Sequence, residues 1–256
     1  MPEQHMGSQG RRTNVVILGG GTAGWMTAVA LASALSERCT VRLIESADIG
    51  IVGVGEASLQ HLREFNGRLG IDETAFMSAT RATFKLGINF RNWLRHGSSY
   101  MHPFGTFGRP VGDLPFHQFW IRAQLEGRCD AIGDYSLPVV ASRLARFAPP
   151  TQRDASGHVQ PYDYGYHFDA TLYAPYLRAL AVARGVERTE GRVIDATRDG
   201  ESGDLLSLTL AGGEAISGDL FVDCSGFASL LLGKAMKEPF EDWSRWLPCK
   251  IGRAHV

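Results

Sequence analysis

A chain of 256 residues is long enough for one large domain or two small ones, and its 44% hydrophobic and 21% charged content is ordinary for a globular protein. A formal net charge of −1 offers no basic field for nucleic acid or an anionic membrane surface. The polar opening MPEQHMGSQGRRTN lacks the apolar core of a signal peptide, and no run reaches the roughly 20 apolar residues that cross a bilayer, so a cytoplasmic protein with no membrane partner is expected.

The first element is the apolar, β-branched run NVVILG (14–19), the pattern of a strand buried on both faces. TAGWMTAVALASALS (22–36) reads as a helix rich in small side chains, and CTVRLIES (39–46) as a second strand. Strand, glycine turn, helix and strand in about 30 residues define a βαβ unit with parallel strands and a right-handed crossover. Two short helices are expected over 58–70 and 72–82, with Ser58 and Asp72 as N-caps. FKLGINFRNW alternates enough for a strand, and 96–116 reads as a long irregular connection. DLPFHQFWIRAQLEG looks helical, RFAPPTQRDASGHVQPYDYGY reads as a second loop, and 168–185 as a helix. VERTEGRVIDATRD, LLSLTLAGG and DLFVDCSG then read as strands separated by turn residues.

GGGTAG places Gly19, Gly21 and Gly24 in G-x-G-x-x-G spacing, with Thr22 and Ala23 between the second and third glycines. Gly19 permits the tight turn, Gly21 lets the backbone approach a pyrophosphate, and Gly24 lets the helix pack on the strand. Glu45, 21 residues after Gly24 at the end of the next strand, is placed to accept hydrogen bonds from a ribose hydroxyl. The glycines alone do not separate FAD from NAD. EGRVIDATRD followed by GDLFVDCSGF, a hairpin region leading to a strand that ends in small residues, favours an FAD domain of the aromatic hydroxylase type. There Val193 would present backbone groups to the adenine, and Cys224, Ser225 and Gly226 would lie against the cofactor, unless these residues are simply sheet edge and turn.

Cys39, Cys129, Cys224 and Cys249 are far apart and lack metal-ligand spacing, so no metal is expected and buried free thiols are the plain reading. Lysine is scarce: Lys85 stands alone until Lys234, Lys237 and Lys250, every other basic side chain being arginine.

Three stretches go beyond a generic flavoprotein: GGGTAGWM, with a tryptophan directly after the third glycine; GVGEAS (53–58) followed by LGIDETAFMSATRATFKLGINFRNW; and FVDCSGFASLLLGKA. Together, from about residue 14 to 249, they resemble the tryptophan halogenase family, and ATFKLGI carries the most specific part of the likeness. Ser58 stands where the family's GVGEAT has threonine. The resemblance implies an α/β, Rossmann-like FAD-binding domain of the aromatic hydroxylase type, truncated. It divides into a βαβ core over 14–60, a helical and loop insertion over 61–164 and a second FAD-domain segment over 165–249.

The resemblance also implies an activity. FADH2 from a separate flavin reductase reacts with O2 to a flavin hydroperoxide, chloride or bromide is oxidised to hypohalous acid, and a lysine holds or carries the halogen to tryptophan, an indole or a similar electron-rich aromatic. That lysine is Lys85 by motif position. An ammonium hydrogen-bonds the oxidant and a deprotonated amine forms a haloamine, which guanidinium does not readily do. Glu56 and Ala57 in GVGEAS are expected at the flavin; Glu56 either orients that loop or lines the halide path, or satisfies backbone donors at a helix start. Phe104, Phe107, Phe116, Phe119 and Trp120 either line an aromatic pocket or fill core, and His102 and His117 read as loop histidines.

The family's W-x-W-x-I-P motif and the glutamate that partners the lysine do not occur in this sequence. The final IGRAHV matches a translated sequencing-library adapter, so 250–256 is read as a non-native tail on a truncated gene. Two other readings compete: a flavin-dependent monooxygenase that hydroxylates an aromatic, which needs no halogen carrier, and a non-catalytic FAD-binding module.

Overall fold

The computed structural model describes residues 11–50, 53, 55–150 and 162–247. Its elements run in chain order as β1 (Thr13–Leu18), α1 (Thr22–Ala34), β2 (Cys39–Glu45), β3 (Gly55–Ala57), α2 (His61–Arg68), α3 (Glu73–Thr80), β4 (Thr83–Lys85), β5 (Gly87–Arg91) and β6 (Ser99–Pro103). They continue as α4 (Phe116–Leu125), α5 (Leu137–Arg143), β7 (Gly165–Asp169), α6 (Ala170–Ala183), β8 (Glu187–Glu190), β9 (Val193–Arg198), β10 (Leu205–Leu210), β11 (Ala215–Ser217) and β12 (Leu220–Asp223). The chain divides into two compact units: one joins the residues through 52 to those from Ala174 onward, and the other is Gly53–Tyr173. Among the described residues no helix is long and apolar enough to cross a membrane.

The first unit is built on a sheet of order β12-β1-β2-β8, and all three pairings are parallel. Val15 to Leu18 are all buried, as expected of a strand covered on both faces, and α1 buries Trp25, Ala28, Val29 and Ala32 at helical spacing. The antiparallel sheet β11-β10-β9 packs Leu208, Leu210 and Ile216 against Val16, Leu18 and Ile44, with Leu231 closing the same core.

The second unit centres on an antiparallel sheet of order β3-β7-β4 beside a two-stranded ribbon, β5 with β6. Phe76 of α3 packs edge-on against Tyr166 and Phe168 of β7 and against Tyr173, at centroid separations of 5.0–6.0 Å. Glu73 opens α3 and takes the hydroxyls of Tyr164 (2.8 Å) and Tyr166 (2.6 Å) on one oxygen. Burial, with that carboxylate beside it, pushes the Tyr164 phenol up to about 12 and the Tyr166 phenol higher still.

Several local expectations fail, each for a non-local reason. Asp72 does cap α3, accepting from Ala75 N at 2.8 Å, but Ser58 caps nothing. Its hydroxyl accepts from Tyr166 N (3.0 Å) at the end of β3, and α2 starts only at His61. FKLGINFRNW is two strands: β4 pairs with β7 and β5 with β6, so the chain breaks at Leu86. The connection after 96 contains β6, whose Tyr100 stacks on Phe90 at 5.0 Å, and β7 occupies residues expected to be loop and helix start. The short elements β3, α5 and β11 were not foreseen either.

Candidate flavin cradle and lysine site

Three parallel strands end together at the fingerprint loop, the edge at which doubly wound sheets bind ligands. Gly19 has φ +120°, and a Cβ there would lie 2.2 Å from the Cys224 carbonyl oxygen, so β1 and β12 approach as only glycine allows. A Cβ on Gly24 would lie 1.9 Å from the Gly19 oxygen, which seats α1 against the turn. Gly21 is different: it is the N-cap of α1, and a Cβ there would meet no atom within 4 Å. No side chain caps the helix and its first turn holds no acid, so the amides that include Thr22 and Ala23 keep their positive end open to an anion. This space and this donor set fit a pyrophosphate.

Glu45 ends β2 with its side chain only 11% exposed. Its Oε1 accepts from Arg188 Nε (2.5 Å) and Arg178 (3.2 Å), and its Oε2 from the Trp25 indole N–H (3.2 Å). A carboxylate oxygen has room for two donors, so Oε2 retains capacity for a ribose hydroxyl. The carboxylate fills the space beside Gly20, where a Cβ would fall 1.8 Å from Oε2. Gly20, Trp25, Arg178 and Arg188 were not foreseen at this site. Trp25 carried only family resemblance, and the arginines are distant in sequence.

Beyond β12 the chain turns sharply through Ser225 and Gly226 (φ +63°). Asp223 organises the turn: Oδ1 accepts from Ser225 N (3.0 Å) and Oγ (2.5 Å), and Oδ2 from Leu231 N (2.8 Å) and Leu232 N (3.1 Å). Burial pushes the Asp223 carboxyl up, but its donors outweigh burial and hold it below the usual carboxylate range. Asp223→Ala should therefore cost the first unit roughly 1–3 kcal/mol in urea unfolding at neutral pH. Because the folded group titrates lower than the unfolded one, this contribution is full above about pH 4 and fades as pH falls through the depressed value, so wild type and variant should converge in acid. Cys224, the next residue, hydrogen-bonds Thr27 of α1, and burial pushes its thiol up. Val193 opens β9 opposite Leu210 and packs on the shared core.

Glu56, Ala57 and Lys85 lie in the second unit. Glu56 and Ala57 belong to β3 rather than to a free loop or a helix start, opposite Phe168 and His167. Lys85 ends β4 opposite Gly165 and is 8% exposed. Its Nζ donates to the Ser58 carbonyl at 2.9 Å and lies 5.3 Å from the Phe104 ring centre. Burial alone pushes its ammonium below the ordinary lysine range. His167, which faces Thr83 across the pair, is held low by burial and by the Lys85 charge.

Of the aromatic residues considered for a pocket, Phe104 is buried beside Lys85, Phe116 lies 5.2 Å from Tyr135, and Trp120 donates to the Asp130 carbonyl at 2.9 Å. Phe119, His102 and His117 are exposed. Among the described residues no three His, Cys, Asp or Glu side chains converge as a metal site would need, and Cys39, Cys129 and Cys224 are free.

A Rossmann-like sheet with a glycine cradle at its carboxyl edge defines the first unit as a dinucleotide-binding fold. The tryptophan halogenase family profile matches residues 14–255, and the chain belongs to that family. It is 38% identical over 253 residues to the 7-chloro-L-tryptophan 6-halogenase KtzR of Kutzneria sp. (strain 744), covering 91% of this chain and 48% of that protein. It is 35% identical to the tryptophan 7-halogenase RebH of Lentzea aerocolonigenes, covering 92% and 46%. Among solved structures, Xcc4156, a flavin-dependent halogenase from Xanthomonas campestris, superposes with a TM-score of 0.84 at 44% identity, over 93% of this chain and 47% of that one. BrvH, a flavin-dependent halogenase from Brevundimonas sp. BAL3, gives 0.83 at 40% identity, over 93% and 48%. The chain thus spans about half the length of the relatives it matches.

Proposed function

We propose that this chain supplies the FAD-binding part and the halogen-directing lysine of a halogenase acting on tryptophan, an indole or a similar electron-rich aromatic. Gly19, Gly21, Thr22, Ala23 and Gly24 would hold the FAD pyrophosphate, Glu45 the ribose, and Val193 the adenine edge. Ser225 and Gly226 would lie against the cofactor, while Glu56 and Ala57 are assigned to it from motif position alone. When bound, FAD reduced by a separate flavin reductase supplies, with O2, the oxidising power that turns chloride or bromide into hypohalous acid.

Lys85 directs that oxidant through a hydrogen bond from its ammonium or through a haloamine. In the second route the neutral amine attacks the halogen of the hypohalous acid: the N–X bond forms as O–X breaks, and the departing hydroxide takes one proton from that nitrogen, leaving a haloamine and water. The observation that carries the reading is Lys85 itself, the sole lysine before position 234, buried and held by a carbonyl rather than a carboxylate. A full-length protein built on this chain, given a flavin reductase, FAD, bromide and tryptophan or indole, should yield a product heavier by one halogen in mass spectrometry. A hydroxylated product instead would select the monooxygenase, and no halide-dependent product would overturn the proposal.

A further inference from the structure

Lys85 hydrogen-bonds an atom that is not on its neighbouring strand. It ends β4 opposite Gly165 of β7, while its acceptor, the Ser58 carbonyl, follows β3 on the far side of β7. The side chain must therefore cross β7 at residue 165. Directly opposed residues of an antiparallel pair share a face, so any side chain at 165 would point to the face that Lys85 uses. A Cβ built on Gly165 would lie 2.8 Å from the Ser58 carbonyl oxygen, the acceptor of Lys85, and 3.1 Å from Ser58 Oγ. These are atoms with little freedom: the carbonyl is backbone, Ser58 N donates to Tyr166 O at 2.8 Å, and Ser58 Oγ accepts from Tyr166 N at 3.0 Å.

We infer that Gly165 is a positioning residue, its missing side chain forming the notch through which Lys85 reaches the Ser58 carbonyl and stays fixed beneath the surface. Its functional meaning rests on the assignment of Lys85 to halogen transfer; its geometry does not, and can be tested without flavin or halide. The notch also accounts for a cation buried with no carboxylate partner among the described residues: the carbonyl dipole and the Phe104 ring take the place of a counter-ion. Among the described residues, the other charged and titratable groups near this face are His167 and Asp169 of β7 and Arg81, which caps α3 two residues before β4, with Glu56 of β3 on the opposite face.

The scarcity of lysine makes the test direct. Competitive acetylation of this chain across pH, read by mass spectrometry, gives each lysine its own midpoint and its own limiting reactivity, with exposed Lys237 as internal reference. Lys85 should react more slowly than Lys237 at the high-pH limit and titrate below the ordinary lysine range. In Gly165→Ala the methyl takes the space at the Ser58 oxygen and the ammonium turns out to water. Limiting reactivity should then rise by about fivefold or more, the factor for one hydrogen bond of the neutral amine, and the midpoint should move up to the ordinary range. Gly55→Ala, where a Cβ meets nothing within 4 Å, should leave both unchanged.

Wild-type Lys85 reacting like Lys237 would overturn the notch with no variant needed, and so would a folded Gly165→Ala with an unaltered profile. Should Gly165→Ala not fold, Phe104→Leu decides. It removes the ring and spares the carbonyl, so Lys85 should stay protected; equal reactivity with Lys237 would show that the ring, not the notch, holds the amine.

Discussion

Lys85→Ala, in a full-length family member built on this chain, should lower halogenated product by about 10²–10³-fold or more while flavin binding and oxygen consumption stay near wild type. On the proposed division of labour the flavin makes the oxidant and the lysine decides where it reacts, so losing the lysine should uncouple the two. Free hypohalous acid should then appear in solution, trapped by a thioether or an amine, and attack bystanders without selectivity. Lys85→Arg should fail as well. Guanidinium keeps the charge but resists deprotonation, and its broad planar fork does not match the slot between the Ser58 carbonyl and the Phe104 ring. Halogenation by Lys85→Ala at wild-type rate and ring position would return Lys85 to a structural role.

The second large effect is expected at Gly21. Its backbone is extended (φ −74°, ψ −178°), a conformation open to valine, and a Cβ there touches no protein atom within 4 Å. Gly21→Val should therefore lower the unliganded thermal transition only modestly, by the roughly 1 kcal/mol that a poorer N-cap costs. Its branched side chain would stand where the phosphate oxygens must approach, and affinity for FAD should fall by more than about 100-fold in calorimetric titration. Gly24→Ala should do the reverse in kind, since its methyl would strike the Gly19 carbonyl and disturb the fold before any ligand arrives. FAD retained by Gly21→Val at wild-type affinity would remove the pyrophosphate from this loop.

These variants separate what the sequence makes legible from what it hides. β1, α1 and β2 are local: a continuous apolar run, glycine spacing and a helical stripe are each written within a few residues. Ser58 shows the limit. A serine ahead of an apolar periodic run is the local sign of a helix cap, and only a partner 108 residues away turns it into a strand-end contact. β3, β6 and β7 are three to five residues long, interrupted by glycine, proline and histidine, and exist because distant strands pair with them. Among the candidate site residues, Glu45 in the first unit and Lys85 in the second stand out by position and rarity. Their partners do not, because Arg178 and Arg188 lie 133 and 143 residues from Glu45 and the acceptor of Lys85 is a main-chain oxygen.

The division of the chain at Gly53 and Ala174 also bears on the order in which the molecule assembles. The second unit is one uninterrupted stretch, so all its pairings can close once that stretch has left the ribosome. The first unit is split: β1 cannot gain β12 until the far end is made, and Asn14 N reaches Asp219 Oδ2 across 205 residues. Closing so long a loop adds little to the equilibrium cost, which grows only with the logarithm of length, but it delays the step. During synthesis β1 and α1 must therefore wait, apolar and half-covered, while the intervening unit folds. The glycine cradle, whose Gly19 turn needs the Cys224 carbonyl beside it, is completed last, so flavin capture at the proposed site would report that the β12-β1-β2-β8 sheet has closed.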